Sequence, residues 1–139
     1  MATIVRETTY SRLCDVVGSD YVLTDQATRA FYSEDLAPER GETAEFVVQP
    51  GSTDEVAKVV RIAHESNSPI LARGGGTSYT LGYVPSRPHS ILLDLSRMDK
   101  VIDIDEGSMS VTVQPAVTWG ELYAQLKNRG LRTPFYGTG

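Results

Sequence analysis

A strand, a helix and a second strand follow one another in under about 30 residues, and no other stretch of this 139-residue chain limits the fold as much. Glu45-Phe46-Val47-Val48-Gln49 is a short apolar run ended by Pro50-Gly51. Pro69-Ile70-Leu71-Ala72 is a second, bounded by proline before and glycine after. Between them, Val56, Val59, Val60 and Ala63 recur at helical spacing and predict an amphipathic helix over 53–66. Ser52 and Glu55 stand at capping-box spacing at its start, and Asn67 suits its exit. A unit of this kind favours parallel strands joined by a right-handed crossover.

The flanking segments extend the pattern. Leu13, Val16 and Val17 form one stripe of an opening helix, with Gly18 placed just past its end. A short helix is expected from Thr24 as N-cap through Ala27, Ala30 and Phe31, and residues 33–44 read as a polar surface loop. Ser90-Ile91-Leu92-Leu93-Asp94-Leu95 is apolar on both faces, as an interior strand should be. Ile102 and Ile104, then Met109, Val111 and Val113, alternate with polar residues about the turn Asp105-Glu106-Gly107-Ser108, which predicts a hairpin with one wet face. Thr118 and Glu121 repeat the capping spacing, and Trp119, Leu122, Tyr123 and Leu126 stripe a last helix ending near Gly130. The expected fold class is α+β: a βαβ unit plus a hairpin-containing mixed sheet with flanking helices.

Composition narrows the function. A net charge of −5 argues against a nucleic-acid protein, which needs clustered Lys and Arg. Residues 1–65 carry twelve acids against six bases, whereas 66–139 carry six against seven, so the second part is the better host for an anion. No apolar run is long enough to span a bilayer, and Met1 to Glu7 has no secretory pattern. Cys14, the single cysteine, has no internal disulfide partner and reads as a small core residue, so a reducing, cytoplasmic compartment is expected.

Four of the twelve glycines lie between 74 and 82, in Arg73-Gly74-Gly75-Gly76-Thr77-Ser78-Tyr79-Thr80-Leu81-Gly82. Glycine permits positive φ and close approach, so successive N–H groups there can turn inward as an anion nest. Thr77 and Ser78 add hydroxyls and Arg73 a guanidinium, a set suited to phosphate or diphosphate. A P-loop is excluded because no lysine occurs between Lys58 and Lys100, and the dinucleotide fingerprint fails at Tyr79. Pro85 and Pro88 also exclude a helix after the glycines, so loop amides, not a helix dipole, would hold the anion. A tight strand-end turn that needs glycine for backbone reasons alone explains the same residues.

Other polar residues read as structural. Asp94 in its apolar strand is expected to hydrogen-bond a neighbouring backbone or loop. His64 and His89 are expected at the surface or in packing, and Trp119 and Tyr123 in helix packing. Asp103, Asp105 and Glu106 lack the ligand spacing of a calcium loop. No Ser/His/Asp or Cys/His grouping supports nucleophilic catalysis.

Three ordered motifs carry a resemblance: Pro69 to Ser78, Ser90 to Met98, and Val113-Gln114-Pro115-Ala116-Val117-Thr118. With Phe46 to Val56 and Tyr32-Ser33-Glu34-Asp35, they resemble the start of a PCMH-type FAD-binding domain of the vanillyl-alcohol oxidase family, in its glycolate oxidase subunit and D-lactate dehydrogenase branch. The likeness runs from about residue 13 to the end.

That resemblance implies an FAD-linked oxidoreductase in which the glycine loop wraps the FAD diphosphate and a second loop closes on the cofactor. Its site residues would be Arg73, Gly74, Gly75, Gly76, Thr77 and Ser78, with Gly82 and Tyr83 beyond them and Pro134, Gly137, Thr138 and Gly139 in the second loop. Members with a histidyl-flavin bond carry His in the glycine loop, and this loop has none, so non-covalent FAD is expected. Tyr79-Thr80-Leu81 stands where the family more often has small residues. The domain expectation is an N-terminal portion of an FAD-binding domain over 1–139, with a helical lead-in over 1–44 and a cofactor cradle over 45–139, truncated inside the second loop. The parent enzyme would oxidise a small 2-hydroxy acid, with the substrate groups in a later domain. The fragment alone would turn nothing over and retain FAD weakly or not at all. The competing function is a non-redox module whose glycine loop holds an anion or a partner segment.

Overall fold

The computed structural model describes residues 2–134, with side chains from residue 6 onward. The chain forms two compact units that divide between Arg97 and Met98.

The first unit opens with α1 (Ala2–Val17), stopped by Gly18 at φ +89°, where the Gly18 N–H still reaches the Cys14 carbonyl at 2.8 Å. A 3-10 turn (Ser19–Tyr21) leads into β1 (Val22–Leu23), a two-residue strand whose brevity hid it from the sequence pattern. Next, α2 (Gln26–Tyr32) is capped by Asp25 and not by Thr24. The Asp25 carboxylate accepts the Thr28 N–H at 2.9 Å, since a carboxylate one residue later reaches the first turn directly. Then follow β2 (Phe46–Val48), α3 (Thr53–Glu65), β3 (Ile70–Arg73) and β4 (Ile91–Asp94).

At the start of α3, Ser52 accepts the Glu55 N–H at 3.2 Å, while Glu55 reaches back one residue further than a capping box requires and accepts the Gly51 N–H at 2.7 Å. The helix is capped at Ser66 and the chain turns away at Asn67, φ +52°, with the Ser68 N–H on the Ala63 carbonyl at 2.9 Å. Val60, expected in the core, lies 41% exposed, and Ile62, which the sequence reading did not name, is buried beside Val59 and Ala63.

The sheet order is β1-β2-β4-β3. β1 pairs antiparallel with β2 (Val22 opposite Val48), and β4 pairs parallel with both β2 and β3. The strand–helix–strand unit is therefore parallel as expected, but its two strands are not neighbours, because β4 separates them. All four β4 residues are buried, as an interior strand requires.

Alternation along the strands divides the core in two. Phe46, Val48, Ile91 and Leu93 join Leu13 and Val17 of α1, Val22, and Val59, Ile62 and Ala63 of α3 in one cluster, against which Cys14, Val16, Val56 and Leu95 pack. Val47 and Leu92 join Ala44 and Tyr83, with Leu23 and Tyr32 against them, in another. The first 44 residues are thus built into both clusters. The stretch 33–44 has no helix or strand, as expected of a loop, but buries Ser33, Ala37 and Ala44.

The second unit holds the hairpin β5 (Val101–Asp105) and β6 (Ser110–Val113) as a separate two-stranded sheet, then α4 (Trp119–Lys127). A β-bulge between Val101 and Asp103 takes Ile102 out of the ladder and leaves it 63% exposed. The half-buried hairpin residues are Val101, Ile104 and Val111, so the bulge re-aims the expected apolar face. Met109, at φ +54° in the turn, is exposed. In α4 the capping box of Thr118 and Glu121 forms in full. Leu122 and Leu126 are buried, whereas Trp119 and Tyr123, expected in packing, are about two-fifths exposed at 43% and 40%. The chain turns at Gly130, φ +72°.

Candidate functional site

The glycine loop leaves β3 at Arg73, whose register partner on β4 is Asp94, so the sheet ladder pins the base of the loop. Of the loop glycines, Gly76 takes a left-handed φ of +79°. A Cβ at Gly76 would lie 2.5 Å from Arg73 Cζ and 2.9 Å from its Nε, so only glycine lets the guanidinium close on the turn. Gly75 differs: a Cβ there would meet nothing within 4 Å. The backbone demands glycine at 76, while at 75 the absent side chain keeps a surface open in front of the loop.

Among the described residues, none accepts a hydrogen bond from the N–H groups of Gly74 to Ser78. Thr77 is exposed, and the Ser78 hydroxyl lies 3.2 Å from that of Thr80. Five successive N–H groups and two hydroxyls are donors of the kind that an anion with several acceptor oxygens can accept from.

Arg73 is ringed by aromatics. Its Cζ stands 4.8 Å from the Tyr32 ring centroid, 5.6 Å from Tyr83 and 5.8 Å from Phe31. Its Nε is buried with no acceptor among the described residues. Tyr83, expected as a cofactor contact, is buried, and its hydroxyl donates to the carbonyls of Gly76 at 2.7 Å and Glu34 at 3.1 Å.

The segment after α2 braces the loop from below. The Leu36 N–H donates to the Ser78 carbonyl at 2.8 Å. Asp35 accepts the Ala37 N–H at 2.9 Å with Oδ1 and the Leu81 N–H at 2.8 Å with Oδ2. Leu81 is held at φ +58° and Gly82 is exposed beside it. Partial burial pushes the Asp35 pKa up, but the N–H bonds from Ala37 and Leu81, the Ser78 hydroxyl and the charge of Arg40 outweigh it and hold the carboxyl below its ordinary range. Burial and the neighbouring Asp94 carboxylate hold the Tyr32 hydroxyl above its ordinary value.

Asp94 is buried and accepts from Gln49 Nε2 at 2.7 Å, the Ser96 hydroxyl at 3.0 Å and the Ser96 N–H at 3.2 Å, as expected of a structural carboxylate. His89 is exposed against Glu45 at 2.9 Å, and His64 is exposed near the end of α3. In the hairpin turn, Asp105 accepts the Gly107 and Ser108 N–H groups and the Ser108 hydroxyl.

Of the expected site residues, Arg73 to Ser78 are gathered with Gly82 and Tyr83 in the first unit. Pro134 is exposed at the end of the described residues, and Gly137, Thr138 and Gly139 lie outside them. Phe31, Glu34 and Asp35 gain roles that sequence reasoning did not assign. The run Tyr32-Ser33-Glu34-Asp35 carried family likeness, but the partner of Asp35 lies 46 residues away and leaves no local trace.

Among the described residues, no helix is long and apolar enough to cross a membrane, and no group of His, Cys, Asp or Glu could hold a metal ion.

The family model described as FAD binding domain matches residues 44–139. The chain is 31% identical over 123 residues to the glycolate oxidase subunit GlcD of Bacillus subtilis, covering 88% of this chain and 26% of the relative. It is 34% identical over 134 residues to 1'-carboxy-chondrochloren decarboxylase of Chondromyces crocatus, covering 90% of this chain and 23% of the relative. The structure of p-cresol methylhydroxylase with substrate bound superposes with a TM-score of 0.79 at 24% identity, covering 91% of this chain and 25% of that one, and so shows the fold alone. The chain thus spans about a quarter of the length of these proteins.

Proposed function

The chain belongs to the family of FAD binding domains, and from that membership we propose that it is the cofactor-holding part of an FAD-linked oxidoreductase that oxidises a small 2-hydroxy acid by hydride transfer. When bound, FAD supplies the two-electron acceptor. The residues present fit its diphosphate. One observation carries the reading: Gly75 faces open space while the N–H groups from Gly74 to Ser78 have no described acceptor. Those amides and the Thr77 and Ser78 hydroxyls would take the phosphate oxygens, with Gly82 and Tyr83 bordering them. Pro134, Gly137, Thr138 and Gly139 would supply a second loop. No His stands between Arg73 and Tyr83, which supports non-covalent binding.

The substrate class rests on GlcD, whose name carries glycolate, a 2-hydroxy acid. Among the described residues no acid–base constellation is identified at the loop, and no catalytic residue is assigned to this chain.

The test is the full-length protein purified in its wild-type form and as Gly75→Val. The wild type should carry a visible flavin spectrum that denaturation releases, and Gly75→Val should lose it while remaining folded. A wild type that binds no FAD on reconstitution would instead favour a non-redox anion- or partner-binding module. Stopped reduction with glycolate or D-lactate decides the substrate class.

A further inference from the structure

Arg73 stands at the mouth of the glycine loop, where a cation would be counted among the phosphate ligands. Its surroundings argue otherwise. Three rings surround the guanidinium at 4.8 to 5.8 Å, Nε is shut away from acceptors, and the group lies against Gly76 at the one left-handed glycine of the loop. The Tyr83 ring that flanks it also fastens the Gly76 carbonyl at 2.7 Å. Two of the rings, Phe31 and Tyr32, come from α2, outside the residues matched by the family model.

We propose that Arg73 is a positioning residue: a planar cation clasped between the rings of Phe31, Tyr32 and Tyr83 that presets the glycine loop through Gly76, rather than a ligand of the phosphate. The proposal rests on the FAD-holding function above. A planar guanidinium suits this task because it stacks on ring faces and is weakly hydrated, whereas an ammonium is compact and strongly hydrated. The clasp makes the segment from Phe31 to Leu36 part of the cofactor cradle.

The experiment has one arm without cofactor and one with it. In the cofactor-free full-length protein, Arg73→Met should speed hydrogen exchange at the Leu36 and Leu81 amides, which tie the loop to that segment, by about tenfold. Phe31→Leu, at an exposed ring, should do so to a smaller degree and supplies the result if Arg73→Met does not fold. With FAD, Arg73→Met should weaken binding on the order of tenfold without altering its salt dependence. Arg73→Lys should fail to rescue it. Unchanged exchange in Arg73→Met, or in Phe31→Leu where Arg73→Met does not fold, overturns the proposal. So does a shallower salt dependence in Arg73→Met together with rescue by Arg73→Lys, the behaviour of a phosphate ligand. A wild type that takes up no FAD overturns the function proposed above, and the cofactor-free arm still decides the clasp.

Discussion

Asp35 Oδ2 accepts the Leu81 backbone N–H at 2.8 Å, joining the end of the lead-in to the far side of the glycine loop. Its other oxygen is engaged by the Ala37 N–H, so one carboxylate staples two backbone segments. These bonds hold the Asp35 pKa down, so the interaction is complete above the ordinary carboxylate range near pH 4 and is lost as pH falls through the lower folded value. The protection of the Leu81 amide, measured against its intrinsic exchange rate at each pH, should therefore fall on acidification below the ordinary carboxylate range. Asp35→Asn should remove that acid step, and an unchanged step in Asp35→Asn would assign it to another group.

Leu13 is wholly buried among Phe46, Val59 and Ile62. Leu13→Ala should cost about 2–4 kcal/mol of unfolding free energy in urea titration of the full-length protein, the usual range for a buried leucine. A loss below about 1 kcal/mol would show that α1 is peripheral to the core.

Gly76 and Gly75 should separate stability from binding. Gly76→Ala sets a Cβ against Arg73 at positive φ and should lower stability by about 1–2 kcal/mol or more. Gly75→Ala, facing open space, should leave Tm within a degree or two of wild type and weaken FAD binding. Thermal melts and FAD titrations on the two variants check this, and equal loss of stability in both would contradict the open surface at Gly75.

In the second unit, Thr118 accepts the Glu121 N–H and Glu121 accepts the Thr118 N–H and hydroxyl. Thr118→Ala should cost about 1 kcal/mol by chemical denaturation, typical of a lost N-cap. The Thr118 N–H bond, then the hydroxyl, holds the Glu121 pKa down, so the carboxylate half of the capping box is intact at neutral pH and weakens in acid as Glu121 protonates, while the Thr118 cap on the Glu121 N–H does not titrate.

Periodicity made the interior strand at Ile91 to Asp94 and the helix of Val59 and Ala63 legible, because burial on known faces leaves a local signature. Where a single neighbour decided the outcome, local reasoning failed: Asp25 displaced Thr24 as cap, Ile62 displaced Val60, and one bulge turned Ile102 outward. The glycine loop was legible as a loop leaving a strand, with Gly76 at the left-handed φ that glycine permits. The contacts of Arg73 with Phe31 and Tyr32 and the Asp35 staple were not, since both join residues some 40 or more positions apart whose pairing only the folded chain creates.

The place of β4 between β2 and β3 has a consequence for assembly. When Arg73 leaves the ribosome, the two outer parallel strands exist without the strand that joins them, and in the finished sheet they are not neighbours. Only after Asp94 emerges can the ladder close, and that same step fixes Arg73, where the glycine loop leaves β3, against its register partner. Sheet completion and the anchoring of the loop's first residue thus coincide, and a lesion that delays insertion of Ile91 to Asp94 should expose both to chaperones and proteases at once.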